Sequence, residues 1–194
     1  MQWKDVTIRE YLEINDIVNS QLYDTLQKDI KILSILYKKP ERYFEDMDLT
    51  QFKKLVLEIS FLNNLSFKEG LPARIKVAGK RFRINLKVTD LSAGQYIDLL
   101  NYSKEKDKIM DNMHNILSIF IKPCNIFGKL KKETPDHALF LYNNLTMDVA
   151  YPCCVFFCSL WANLTPVMVS YLTSEMTQMN EQIKKHLQAT GDGS

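Results

Sequence analysis

RIKVAGKRFRINLK, residues 74–87, decides the fold class. Elsewhere in the chain apolar residues recur every three or four positions; here they recur every second one. Arg74-Ile75-Lys76-Val77 and Arg81-Phe82-Arg83-Ile84-Asn85-Leu86-Lys87 alternate strictly, the period of strands with one buried face. Ala78-Gly79 between them predicts a two-residue hairpin turn. That loop length sets Val77 opposite Lys80, Lys76 opposite Arg81, Ile75 opposite Phe82 and Arg74 opposite Arg83. Ile75, Val77, Phe82, Ile84 and Leu86 then share one face, and Arg74, Lys76, Arg81, Arg83 and Lys87 share the other. A three-residue loop would mix the two sets. An isolated hairpin is marginal in water, so its apolar face must rest on helices or on further strands.

The cationic face is the sharpest local feature. From Lys68 to Lys87 seven cations stand against one acid, Glu69, a local +6 in a chain of net +2, which leaves about −4 for the rest. Arg74–Arg83 and Lys76–Arg81 are like-charged cross-strand pairs, which repel and weaken a sheet. An anionic partner, either nucleic-acid phosphate or an acidic protein surface, would relieve that cost. A solvated face explains the same residues and is favoured on sequence alone. Its long aliphatic stems would cover the sheet and its charge would guard against aggregation. No exposed aromatic interleaves these cations to stack bases, so nucleic acid is not the favoured partner.

On either side of the hairpin the pattern is helical. Thr7 and Glu10 form a capping box opening a helix to about Val18, with Ile8, Leu12 and Ile17 in a stripe. A second runs from about Gln21 to Tyr37 through Leu22, Leu26, Ile30, Leu33 and Leu36, and Pro40 stops it. After an acidic turn, Asp48 and Gln51 open a third, to about Leu62, with Phe52, Leu55, Ile59 and Leu62 inward. Ser92 and Gln95 open a helix over Ala93–Ser103. Ile109, Met113, Ile116, Leu117 and Phe120 mark another that Pro123 ends, and Lys122 to Asp136 reads as a basic loop. Thr134-Pro135 predicts a cap and first position for a short helix to Leu145.

Val149 to Ser174 carries no charge. Thr146 and Thr165-Pro166 divide it into two buried helices, the first holding Pro152, rather than one membrane span. The last helix runs to about Gln188. Beyond Glu175 only Met176, Met179, Ile183 and Leu187 remain as an apolar stripe, a candidate protein-partner face because methionine adapts to varied apolar surfaces. The fold class expected is mainly α (α+β): a single helical domain, 1–190, of about seven helices with one inserted antiparallel hairpin. Its parts are N-terminal helices 1–65, hairpin 72–88, C-terminal helices 90–188 and a frayed tail, 189–194.

Nothing in the sequence points to catalysis. His114, His137 and His186 are far apart and read as surface or interface residues. No H-E-x-x-H, G-x-S-x-G or phosphate-binding glycine loop occurs. Cys124, Cys153, Cys154 and Cys158 are poorly spaced for disulfides and read as free thiols in a reducing cytosol. Cys154 and Cys158 lie one turn apart, but no histidine or second pair supports a metal. No cofactor and no metal are expected. The opening MQWKDVTIREY has no apolar run, so no secretion signal is expected either.

Several segments together carry a family resemblance. They are Trp3–Thr7, Leu49–Leu55 after the acidic turn, the hairpin turn Val77–Phe82, Leu91–Leu99, His114–Phe120, and Phe156-Phe157 with Tyr171-Leu172. The pattern resembles small proteins encoded in the structural-gene clusters of tailed bacteriophages, especially gut phages of Bacteroides-type hosts, labelled tail-assembly-chaperone-like. Ala78 stands where such turns usually have Asn. The resemblance implies a non-enzymatic morphogenesis protein that binds phage structural proteins in the host cytoplasm during infection. The alternative is a virion component or packaged cargo whose basic hairpin meets DNA or an acidic neighbour. It brings no catalytic residues.

Overall fold

The computed structural model describes residues 1–64, 67, 70–85, 90–104 and 108–159. The fold class is mainly α with an antiparallel sheet. The chain divides into two compact units, Met1–Cys154 and Val155–Ser194, and of the second only 155–159, which are helical, are among the described residues.

Local side-chain caps set four of the helix starts among the described residues. Thr7 Oγ1 accepts from the Glu10 amide at 3.3 Å and Glu10 Oε2 accepts from the Thr7 amide at 2.8 Å, opening α1 (Ile8–Asn19) as expected. Its buried face carries Ile8, Glu10 and Ile14, while Leu12 and Ile17 are half-buried. Helix α2 (Thr25–Tyr37) begins four residues later than Gln21. The reason is a capping box that the apolar spacing overran: Asp24 accepts from the Gln27 amide at 2.8 Å and Gln27 accepts from the Asp24 amide at 3.2 Å. Leu22 falls outside the helix and is 85% exposed; Leu26 is exposed as well, and the core side is Ile32, Leu33 and Leu36. Lys38 ends α2 in the left-handed conformation, and Pro40 caps the short α3 (Glu41–Glu45).

Helix α4 (Leu49–Glu58) has half of the expected box, Asp48 accepting from the Gln51 amide at 3.2 Å. It stops before Leu62 and passes into a 3-10 turn, Ser60–Asn63. The Ser92/Gln95 box opens α5 (Ala93–Ser103) as read.

The hairpin forms with the predicted register. Strands β1 (Arg74–Val77) and β2 (Lys80–Ile84) pair Arg74 with Arg83, Ile75 with Phe82, Lys76 with Arg81 and Val77 with Lys80. Val77, Phe82 and Ile84 are buried, Ile75 is half-buried, and Arg74, Lys76, Arg81 and Arg83 are exposed. Both turn residues have positive φ, Ala78 +43° and Gly79 +79°, as a type I′ turn requires.

The sheet has a third strand that the helical reading of 109–123 missed. Helix α6 is only Met113–Phe120, and its chain continues directly into β3 (Ile121–Pro123), antiparallel to β2. The pairs are Phe82 with Pro123, Arg83 with Lys122 and Ile84 with Ile121. Bonds from Asn85 N to Phe120 O (2.8 Å) and from Cys124 N to Arg81 O (2.9 Å) flank them. By alternation the ring nitrogen of Pro123 faces away from β2, where a missing donor costs nothing.

Helix α7 (His137–Asn144) starts after Asp136, not at Thr134-Pro135, which instead form a turn with the His137 amide on Thr134 O at 3.1 Å. It packs under the apolar face of the hairpin. Phe82 stacks on both His137 and Phe140 at 5.7 Å. His137 is therefore a core residue, only 6% exposed, and not the surface or interface residue read from sequence. Its Nε2 lies 2.6 Å from Ile121 O, tying α7 to β3.

Residues 147–154 continue as α8 beyond Thr146. The chain closes on itself there: Ile8 N donates to Leu145 O (3.0 Å) and Met147 N to Val6 O (2.8 Å). Among the described residues no helix is long and apolar enough to cross a membrane. The second half of Val149–Ser174, including Thr165-Pro166, lies outside the described residues.

Two outcomes follow. Left-handed backbone costs alanine on the order of 1 kcal/mol, so Ala78→Asn should raise the urea midpoint and the β-branched Ala78→Val should lower it; the reverse order would refute the turn assignment. The second concerns pH. Burial, the largest cause, pushes His137 below its usual 6.5, opposed in part by the Ile121 bond. His114 shifts down for the same leading reason. Between the depressed folded pKa and about 6.5 the unfolded chain binds more protons, so stability is full above 6.5 and falls as pH drops through that window. His137→Gln, which keeps a donor for Ile121 O, should flatten the fall by at most about 1.4 kcal/mol per pH unit. Equal pH slopes in the two proteins would contradict a buried neutral His137.

Candidate functional site

The third strand widens the basic face. Arg74, Arg83 and Lys122 form one cross-strand row, and Lys76, Arg81 and Cys124 form the next. The outer cation of the first row is neutralised: Lys122 Nζ meets Glu133 Oε1 at 2.7 Å and also donates to Ser118 O at 3.0 Å, leaving the side chain 12% exposed. Arg74, Lys76, Arg81 and Arg83 pair with no carboxylate among the described residues. Lys87, the fifth member expected on this face, lies outside the described residues, as do Met176, Met179, Ile183 and Leu187 of the other candidate face and His186.

A loop after β3 borders the cations. Asn125 organises it, its side-chain oxygen accepting from the Phe127 amide (3.0 Å) and the Lys129 amide (2.9 Å). Gly128 has φ +83°, and a Cβ there would come within 2.6 Å of the Arg74 guanidinium. The absent side chain lets Arg74 lie across the loop. Cys124 and Leu130 bridge, and Lys131 N donates to Pro123 O at 2.8 Å, which fastens the loop to the outer edge of β3. A cavity of about 250 Å³ opens between hairpin and loop, lined by Arg74, Lys76, Arg81, Cys124, Asn125 and Ile126 among others.

The loop also presents apolar side chains. Phe127 is 81% exposed, with Ile126 and Leu130 exposed beside it. Within the hairpin no exposed aromatic interleaves the cations, since Phe82 is buried, but the tertiary structure places Phe127 on the loop that Arg74 crosses. Asn-Ile-Phe-Gly-Lys-Leu-Lys-Lys (125–132) held the signal: three apolar residues in a turn-rich basic loop with nothing local to bury them.

The remaining reactive groups lie away from such chemistry. Cys124, Cys153 and Cys154 are buried and Cys158 is half-buried; burial pushes the Cys153 thiol up to about 12, so it does not ionise near neutrality. His114 Nδ1 is buried with no partner in hydrogen-bonding geometry, although the nearby Asp111 backbone slightly favours its charged form. Among the described residues no group of three or more His, Cys, Asp or Glu could hold a metal. A separate apolar groove of about 370 Å³ runs between α1, α2 and α4. Ile14, Val18, Ile32, Val56 and Leu57 line it, with Asp29, whose pKa burial raises.

No family model, no curated protein and no solved structure matches the chain.

Glu133→Gln should separate structure from charge on this face. It strands a nearly buried Lys122, so stability should fall by about 1–2 kcal/mol, discounted because Glu133 is itself 40% exposed. The same variant adds an unpaired cation beside Arg83 and should elute later from heparin. Unchanged stability would mean that the Lys122–Glu133 contact is not formed in solution.

Proposed function

We propose that the chain is a non-enzymatic protein-binding module acting in virion or tail assembly, and that the face of Arg74, Lys76, Arg81 and Arg83 docks an acidic phage structural protein. One observation carries the reading: four cations stand unpaired among the described residues next to a loop whose Phe127 is 81% exposed. Apolar anchors beside complementary charge are the composition of a protein interface. Phe127 offers one ring on which a base could stack, but Ile126 and Leu130 beside it are aliphatic and bury usefully only against a protein, which favours a protein partner. The assembly role itself comes from the resemblance of the segments from Trp3 to Leu172, and with it the host cytoplasm as the place of action. A virion component that uses the same face on DNA or on an acidic neighbour is the alternative. No membrane role is proposed.

The groove between α1, α2 and α4 supports a second reading, in which an apolar helix of an unassembled client lies on Val18 and Leu57. The stripe of Met176, Met179, Ile183 and Leu187 is proposed as a further client surface.

Affinity capture from infected cells tests these together. The wild-type chain should recover at least one phage structural protein. Lys76→Glu/Arg81→Glu/Arg83→Glu should reduce that recovery roughly tenfold or more with an unchanged circular dichroism spectrum. Recovery of no structural protein by the wild type would sink the proposal. Loss with Leu57→Asp but not with the charge reversals would transfer it to the groove.

A further inference from the structure

Backbone hydrogen bonds in an antiparallel pair alternate between the two sides of each strand. The two-residue turn makes Val77–Lys80 the first bonded pair and Ile75–Phe82 the next. Ala73–Ile84 continues the series, with Ile84 N donating to Ala73 O at 3.1 Å. Arg74 and Lys76 lie between these pairs, so their N–H and C=O groups point away from β2. The other edges are occupied. Strand β2 bonds β3 through Arg81 O, which accepts from Cys124 N at 2.9 Å, and the far side of β3 receives Lys131 N on Pro123 O at 2.8 Å. Among the described residues, β1 is the open edge of the sheet, and the four outward backbone groups of Arg74 and Lys76 have no partner there.

We propose that this edge receives an extended acidic segment of the partner protein, which adds to the sheet as a fourth strand. The inference rests on the docking face proposed above and specifies how that face is used. Main-chain bonds to Arg74 and Lys76 supply the pairing, as in other cases of strand addition. Side chains opposite Arg74 and Lys76 emerge on the basic face, so carboxylates at alternate positions meet Arg74, Lys76 and Arg81. Those between them emerge with Ile75 and Val77, so they are apolar. The segment recognised is therefore acid–apolar–acid, about five residues long to match the four of β1. A second copy of the chain pairing edge to edge would set Arg74 and Lys76 against their own kind, which disfavours it. Nucleic acid supplies anions but no ladder of N–H and C=O groups.

The test titrates the full chain with a fluorescein-labelled peptide of alternating Glu and Val. Two isomers N-methylated on one or the other set of alternate residues accompany it, with a block peptide of the same composition. Methylation removes ladder donors and leaves charge unchanged. One methylated isomer should lose binding roughly tenfold or more while the other keeps it. The block peptide should bind weakly, and the amide resonances of Arg74 and Lys76 should move on titration. Equal binding by both methylated isomers would overturn strand addition, as would binding of a thymidine oligonucleotide with none of the alternating peptide. If strand addition fails while the charge-reversed variant still loses its structural protein in infected cells, the docking face stands and only its mode is wrong. If that variant loses nothing, both fall.

Discussion

A two-stranded hairpin is marginal in water, and the need to complete it orders much of Met1–Cys154. Strand β3 completes it with three residues, Ile121–Pro123. Because β3 is continuous with α6, pairing it to β2 also places α6. Because Ile121 O is held by His137, the same pairing places α7 beneath the apolar face. Phe82 sits at the junction, stacked on His137 and Phe140, with Lys80 Nζ 4.2 Å over the Phe140 ring. The energies explain why a like-charged sheet survives. Burying Val77, Phe82 and Ile84 contributes about 1.5–3 kcal/mol each. The two repelling pairs, Arg74–Arg83 and Lys76–Arg81, cost up to about 1 kcal/mol each. Burial wins, and the fold tolerates four hairpin cations that no carboxylate among the described residues neutralises.

That tolerance is selective. Lys122, whose side chain is only 12% exposed, has Glu133 at 2.7 Å, whereas the exposed hairpin cations have no carboxylate among the described residues. The asymmetry follows from desolvation: a buried charge must be paired, a wet one need not be. It leaves an unpaired face that solvation alone can explain. Solvation does not explain the loop after β3, where a turn held by Asn125 and Gly128 keeps Phe127 in water beside that face.

The same desolvation rule governs the other end of the unit. Glu10 is 4% exposed, and its carboxylate is met by the Thr7 amide, the Thr7 hydroxyl and Lys38 Nζ at 3.5 Å. A capping box thus doubles as a tie between α1 and the end of α2. Trp3 Nε1 donates to Asn64 O at 2.9 Å, and the Val6–Ile8 segment bonds Leu145 and Met147, so the first residues of the chain are held by some of the last in this unit.

What the sequence determined by itself was set within a few residues. The caps at Thr7/Glu10 and Ser92/Gln95 each join a side chain to a backbone group three positions away. The hairpin register and its two faces follow from a period of two and a two-residue turn. The start of α2 was equally local, in Asp24 and Gln27, but the apolar spacing through Leu22 and Leu26 outweighed it. Only the tertiary structure decided the rest. Three residues of strand have no period of their own, so Ile121–Pro123 becomes β3 only because β2 offers unpaired backbone groups. His137 is buried only because Phe82 and Ile121 O come from elsewhere in the chain. Phe127 borders the cations only because Gly128 admits the Arg74 guanidinium. Which strand is left as an edge depends on all three pairings at once, and backbone groups satisfied over long range leave no trace in neighbouring side chains.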